Sequence, residues 1–269
     1  MNQAAKRHVI LTSGRSGSNY LANTLNLHPQ VVNYGEVLGS WTLPWKLFKP
    51  LRILGLGVLS YLEYIYSSHV FFMAAQMYSS FSHLRKRKPI KCKYRRHIKH
   101  IGVKDFFINF ESRAAFDFIL NQPEIDVIYL SRCNILRRYL SVLHMAKSNT
   151  AVSESSHPKV HQVKVDIKHM LQTLMILEQE VMKEEAMLKR IEKAGHRLMR
   201  INYEDYFKST ATIELINKKV FQFLGVEGIA LLSKHRKILP NSFSDIIVND
   251  QEVMSALKGT VYEVYLHEN

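Results

Sequence analysis

The stretch Val9-Ile10-Leu11-Thr12-Ser13-Gly14-Arg15-Ser16-Gly17-Ser18-Asn19-Tyr20-Leu21 changes character twice. A short apolar run comes first, a glycine- and serine-rich loop follows, and Tyr20, Leu21, Thr24, Leu25 and Leu27 then recur at helical spacing. The order is strand, loop, helix. Small residues at that junction let consecutive backbone N–H groups converge on an anion, and the helix dipole favours negative charge there. The plain alternative is an ordinary strand-to-helix turn. A nucleotide triphosphatase loop is excluded, because Gly14 and Gly17 are three apart and no Lys-Ser or Lys-Thr pair follows. Arg15 lies inside the loop instead, where a permanently charged planar fork suits a phosphate or sulfate.

Outward from this unit the pattern repeats. Pro29 ends the first helix, and Val31 to Tyr34 reads as a second extended piece leading to Gly35-Glu36-Val37. Further strands are expected at His100 to Lys104, Asp126 to Leu130 and Arg197 to Tyr203, and helices at Glu111 to Asn121, Asn134 to Lys147 and Val163 to Ala194. Gly195 supplies the C-cap of the last helix. Asp126-Val127-Ile128-Tyr129-Leu130 is apolar almost throughout, as a parallel strand covered on both faces should be. Strands alternating with helices predict an α/β fold with a central parallel sheet flanked by helices. Without a Pro/Gly/Ser-rich linker, residues 1–269 read as a single domain, with a helical and basic insertion at about 45–98.

The 37 Lys and Arg against 23 Asp and Glu give a net charge of +14, which favours an acidic substrate, a polyanion or an anionic membrane as partner. Nine of those cations fall between Arg85 and Lys99, with no acid among them. They suit recognition of an anionic sugar or lipid head group, docking on a membrane, or a solvated loop. The neighbouring stretch from Ile53 to Phe81 is apolar but interrupted by Gly55, Gly57, Ser60, Glu63, Ser67, Ser68 and Gln76, so one or two buried or surface-docked helices are expected in place of a membrane span. Cys92 and Cys133 make no disulfide framework, and the three apolar residues Val9 to Leu11 are too few for a secretory signal. A cytoplasmic location follows, with peripheral contact at the inner membrane face as its extension.

The string from Thr12 to Leu21, followed by Asn26-Leu27-His28-Pro29 and Tyr34-Gly35-Glu36, resembles the opening of carbohydrate-type sulfotransferases, most closely the bacterial enzymes acting on sugars and glycolipids. These use 3′-phosphoadenosine 5′-phosphosulfate (PAPS) as co-substrate and release 3′-phosphoadenosine 5′-phosphate (PAP), and the resemblance implies a P-loop-like three-layer α/β fold. It implies that Gly14, Arg15, Ser16, Gly17, Ser18 and Asn19 hold the 5′-phosphosulfate. A second signature, an Arg at a strand end with a Ser in the next helix, holds the 3′-phosphate in similar enzymes; here Arg132 and Ser141 match it. The separation is nine positions where eight is usual, and Cys133 stands where the commoner Arg would be, so Arg137 and Arg138 are alternatives to Arg132. Segments 201–205 and 247–262 are also similar, whereas 45–98 and 149–195 are not.

Sulfuryl transfer asks a protein for positioning and for stabilisation of charge, and for a base that takes the acceptor's proton. The resemblance puts the catalytic acidic residue at Glu36, with Arg15 stabilising the leaving diphosphate. His28 and His144 are the runners-up as base, His28 having the simpler role of shaping the turn before Pro29. Lys234, Arg236 and Lys237 could close over the 3′-phosphate or form a solvated loop. No set of residues has metal-ligand spacing, and none is required. The expected acceptor is a carbohydrate or glycolipid hydroxyl. A P-loop-type nucleotide-dependent kinase and a non-enzymatic binder of anionic surfaces are the competing classes; no nucleic-acid motif accompanies the charge.

Overall fold

The computed structural model describes residues 5–85, 87, 89, 92–148, 162–229, 233, 240 and 242–267. In chain order its strands and helices are β1 (Lys6–Thr12), α1 (Ser18–Leu27), β2 (Val31–Asn33), α2 (Leu43–Phe48), α3 (Val58–Ser67), α4 (His69–Arg85), β3 (His100–Phe106), α5 (Phe107–Ser112), α6 (Phe116–Leu120), β4 (Asp126–Ser131), α7 (Ile135–Ser148), α8 (Ile167–Lys193), β5 (Leu198–Asn202), α9 (Tyr203–Tyr206), α10 (Thr210–Phe223) and α11 (Asp250–Leu257). All five strands are parallel, in the order β2-β3-β1-β4-β5. The chain leaves β1 toward one edge and later returns past it to add β4 and β5 on the other side, which opens a crevice at the C-terminal ends of the central strands.

Alternation along the strands explains the three layers. Val9 and Leu11 of β1, with Val103, Val127 and Tyr129, pack against α3, α5, α6 and the C-terminal half of α8. Ile10, Ile128, Leu130 and Ile201 face the opposite way, onto α1 and α10. Strands buried on both sides gain from apolar residues at nearly every position. A third cluster joins α7, the start of α8 and α11 through Leu136, Leu140, Leu174, Ile246 and Leu257.

Several boundaries differ from the sequence reading. The helix expected over Glu111 to Asn121 is two short helices, because Ala114 adopts a left-handed φ of 51° and the Ala115 amide turns back to the Phe110 carbonyl. Tyr203 leaves the last strand and opens α9, where the Asn202 side chain accepts from the Glu204 amide. The apolar stretch after residue 53 divides into two different helices. In α3, Tyr61, Leu62, Ile65 and Tyr66 are core; in α4 only Phe72 is. Among the described residues no helix is long and apolar enough to cross a membrane.

The basic segment has structural duties. Lys93 Nζ donates to the carbonyls of Asn26, His28 and Val31, and Arg95 donates to those of Tyr66 and Ser67 while lying over the Phe72 ring. Those two cations tie the basic segment to the end of α1 and to α3. Lys86, Lys88 and Lys91 lie outside the described residues, as do Lys234, Arg236 and Lys237.

One core group titrates near neutrality. Glu184 of α8 accepts from Tyr129 Oη at 2.5 Å, and burial first of all pushes its carboxyl up to about 7. The folded chain therefore holds a proton there that the unfolded chain releases near 4.5. Its contribution is fully present below that value and is lost as pH rises toward 7. Glu184→Gln should raise the melting temperature at pH 8, with an upper bound of about 3 kcal/mol, and flatten the fall between pH 5 and 7. Parallel thermal unfolding curves for the two proteins that stay superimposable across this range would refute the assignment.

Candidate active site

The loop after β1 is built around left-handed backbone. Gly14, Arg15 and Gly17 have φ of 87°, 54° and 80°. A Cβ on Gly17 would meet the Phe207 ring at 2.4 Å, so glycine is required by both conformation and space. Arg15 holds a conformation that costs a non-glycine residue on the order of 1 kcal/mol, and such backbone persists where surrounding contacts determine it. Here the Gly14 amide donates to Thr12 Oγ1 at 3.1 Å, and Thr12 and the buried Ser16 share a hydrogen bond of 2.5 Å between hydroxyls. No side chain caps α1 at Gly17, which leaves its first amides for an acceptor outside the helix.

The second motif meets this loop. Arg15 Nε donates to Ser141 Oγ on α7 at 2.9 Å, and Arg132 Nη1 donates to the Arg15 carbonyl at 3.2 Å. Arg132 is 7% exposed, its guanidinium lies 4.4 Å from the Tyr203 ring centre, and its Nε is a buried donor with no acceptor. The approach of Glu204 to that Nε, at 4.0 Å, is too long for a hydrogen bond. The Glu204 carboxylate instead accepts from the amides of Cys133 and Asn134 at 3.1 Å each, so its charge neutralises the start of α7. Burial, then the neighbouring Arg132 charge, lowers the pKa of Arg15; burial lowers that of Arg132; burial and Arg132 lower that of Arg137. Arg132 is thus held close enough to Arg15 and to Arg137 to repel each of them.

The alternatives to Arg132 separate cleanly. Arg138 pairs with Glu180 at 2.8 Å, which commits it to α8. Arg137 stays in the cluster but reaches toward the late segment, donating to the Pro240 carbonyl at 3.0 Å and stacking over Phe243.

Glu36 lies in the loop after β2. Its Oε1 accepts from Lys104 Nζ and its Oε2 from Trp41 Nε1 at 2.7 Å. Lys104 comes from the interior of β3, is 1% exposed, and has its ammonium 4.9 Å from the centre of the Phe106 ring. Phe106 in turn abuts Gly14, whose Cβ would lie 3.2 Å from it. The β1–β3 register, with Ile10 opposite Lys104 and Thr12 opposite Phe106, accounts for this placement. Asp105 positions the carboxylate loop: its Oδ2 accepts from the Val37 and Leu38 amides at 2.8 and 2.7 Å, directly after Glu36.

Neither histidine competes well. Both His28 ring nitrogens are occupied, one by the Gln30 amide and one by the Glu227 carbonyl, as a turn-shaping residue requires. His144 is buried on α7. The sequence gives Lys104 and Asp105 no role, and Tyr203 and Glu204 none beyond their place in the similar segment 201–205. The available signal for Lys104 was a lysine inside a parallel strand buried along nearly its whole length, where an unpaired ammonium is too costly to bury.

The chain is similar in structure to a sulfotransferase from Alicyclobacillus acidocaldarius, with 11% identity over 98% of this chain and 97% of that one and a TM-score of 0.46. It is also similar to the sulfotransferase domain of the Synechococcus PCC 7002 olefin synthase, with 14% identity over 84% and 75% and a TM-score of 0.35. No family model and no curated protein matches. At TM-scores under 0.5 the functional reading rests on the site's own residues.

Proposed function

We propose that the chain is a PAPS-dependent sulfotransferase whose acceptor is a hydroxyl of a carbohydrate or glycolipid. The observation that carries this reading is the convergence of Arg15, Arg132 and Arg137 with the uncapped start of α1, beside a separate lysine–glutamate pair. Mutually repelling, largely buried guanidinium groups are stabilised by a multiply charged anion, and a nucleotide with phosphates at both ends of its ribose supplies two such charges. The orphaned Arg132 Nε fits that need. Gly14 to Asn19 would hold the 5′ end through backbone and hydroxyl groups, Arg132 and Ser141 the 3′-phosphate, and Arg15 would join the two.

PAPS supplies an activated sulfuryl group; the remaining work falls to the chain. Glu36 takes the proton of the acceptor hydroxyl, Lys104 holds that carboxylate and contributes positive charge, and Asp105 keeps the loop in place. Trp41, 55% exposed and hydrogen-bonded to Glu36, forms the wall that an acceptor ring would meet. The reading takes residues 1–269 as one domain in the cytoplasm, with peripheral contact to an anionic membrane.

Calorimetry with PAP, followed by transfer of radiolabelled sulfate from PAPS to sugars and extracted glycolipids, tests the proposal. PAP should bind more tightly than ATP with magnesium and should raise the melting temperature more at equal concentration. Preference for ATP would favour the kinase class, and failure to bind either would remove the enzyme reading.

A further inference from the structure

Beyond the nucleotide site there is a second concentration of positive charge. A cavity of about 360 Å³ is lined by Trp45, Lys46, Lys49, Arg52 and Arg113, together with Ser40 and Pro50. Four cations meet there, and among the described residues none of them has a carboxylate within 4.0 Å. Arg113 lies 4.4 Å from the Trp45 ring centre, and its Nε is another buried donor without an acceptor. Arg52 approaches the same ring at 6.0 Å. The indole therefore braces two guanidinium groups at the wall of a charged pocket, an arrangement that orders donors for an anion.

The residues that flank the cavity lining in sequence are apolar and exposed. The 3-10 helix over Lys49–Leu54 has no buried residue. Leu47, Ile53 and Leu54 are 66, 89 and 76% exposed, and Leu51 and Leu56 are also on the surface. Large aliphatic side chains left in water beside four cations cost free energy in a molecule surrounded only by solvent. The same pairing is favourable at the boundary of a bilayer, where cations meet phosphates and aliphatic groups enter the acyl region.

We propose that the segment from Leu43 to Leu56, with Arg113, is a docking site for an anionic phospholipid bilayer. The lipid phosphate enters the cavity, and Leu47, Ile53 and Leu54 insert beside it. This builds on the membrane-contact part of the functional reading, places that contact at residues 43–56, and does not depend on sulfuryl transfer. Trp41, which holds Glu36, is two residues from the start of α2, so a docked molecule would present its carboxylate loop near the membrane surface.

Co-sedimentation of the full chain with phosphatidylcholine vesicles, with and without phosphatidylglycerol, tests the site. Binding is expected only when phosphatidylglycerol is present. Lys46→Glu/Lys49→Glu/Arg52→Glu should weaken it by at least about tenfold, since each cation near the surface contributes on the order of a fivefold affinity. Ile53→Ser/Leu54→Ser, which keeps every charge, should weaken it comparably. If glycerol 3-phosphate binds the cavity as tightly as vesicles do and the serine variant docks normally, the occupant is a soluble phosphate and the bilayer proposal is overturned. An equal loss from Arg96→Gln/Lys99→Gln would show diffuse attraction and would overturn it too. PAP calorimetry on the same preparations keeps the two readings apart: a serine variant that still binds PAP is folded, whatever its vesicle affinity.

Discussion

Glu36→Gln should lower kcat by roughly 10²–10⁴-fold while leaving the affinity for PAP unchanged. The loss has two physical sources, and they can be separated. The amide cannot accept the acceptor's proton, which removes general-base catalysis. It also leaves Lys104, 1% exposed, without its counter-ion. Breaking a buried pair by deleting one partner costs about 3–5 kcal/mol, so the melting temperature should fall as well. Adding Lys104→Met to Glu36→Gln replaces the stranded charge by an apolar chain of similar length and should recover most of the stability. It should not recover turnover. If activity returns along with the melting temperature, Glu36 serves the fold and the base lies elsewhere. If the single variant turns over normally at saturating PAPS, the whole carboxylate assignment is lost.

The difference between what was readable at Glu36 and what was hidden at Lys104 is physical. Strand, loop and α1 were legible because a backbone anion loop depends on local features: an apolar run, glycines at left-handed positions, and helical spacing afterwards. The alternating faces of β1 and β4 were equally local. Lys104 acquires its meaning only from a partner 68 residues earlier, brought near by β2 pairing with β3. Ala114 gave no warning of a helix break, since alanine favours helix; its left-handed turn lies between the packed rings of Phe110 and Phe116, a contact that appears only in the fold. Apolar content likewise could not distinguish α3, which fills the core, from α4, which leaves Met77, Tyr78 and Phe81 in the open. The +9 of the basic segment suggested a partner surface, but Lys93 and Arg95 spend their charge on backbone carbonyls. A second set of cations, Lys46, Lys49, Arg52 and Arg113, meets around Trp45.

Arg132→Met should reduce PAP affinity by on the order of 10²–10³-fold with little loss of stability in the ligand-free protein. Truncating a buried, hydrogen-bonded charge that meets a ligand's charge costs 2–5 kcal/mol of binding. The ligand-free molecule has less to lose. Arg132 gives up one bond to the Arg15 carbonyl and its stacking on Tyr203, while Arg15 and Arg137 are relieved of a neighbouring positive charge that now lowers their pKa values. These effects oppose each other, and a site that binds anions commonly gives up stability for function in this way. Arg138→Met should behave in the reverse sense. Its salt bridge to Glu180 links α7 to α8, so unfolding should come at a lower temperature while PAP binds as before. Measuring melting temperature with and without saturating PAP for both variants gives four numbers and one decision. A normal PAP-induced rise in Arg132→Met, together with a lost rise in Arg138→Met, would transfer the 3′-phosphate to the other arginine and with it the nine-residue spacing to Ser141.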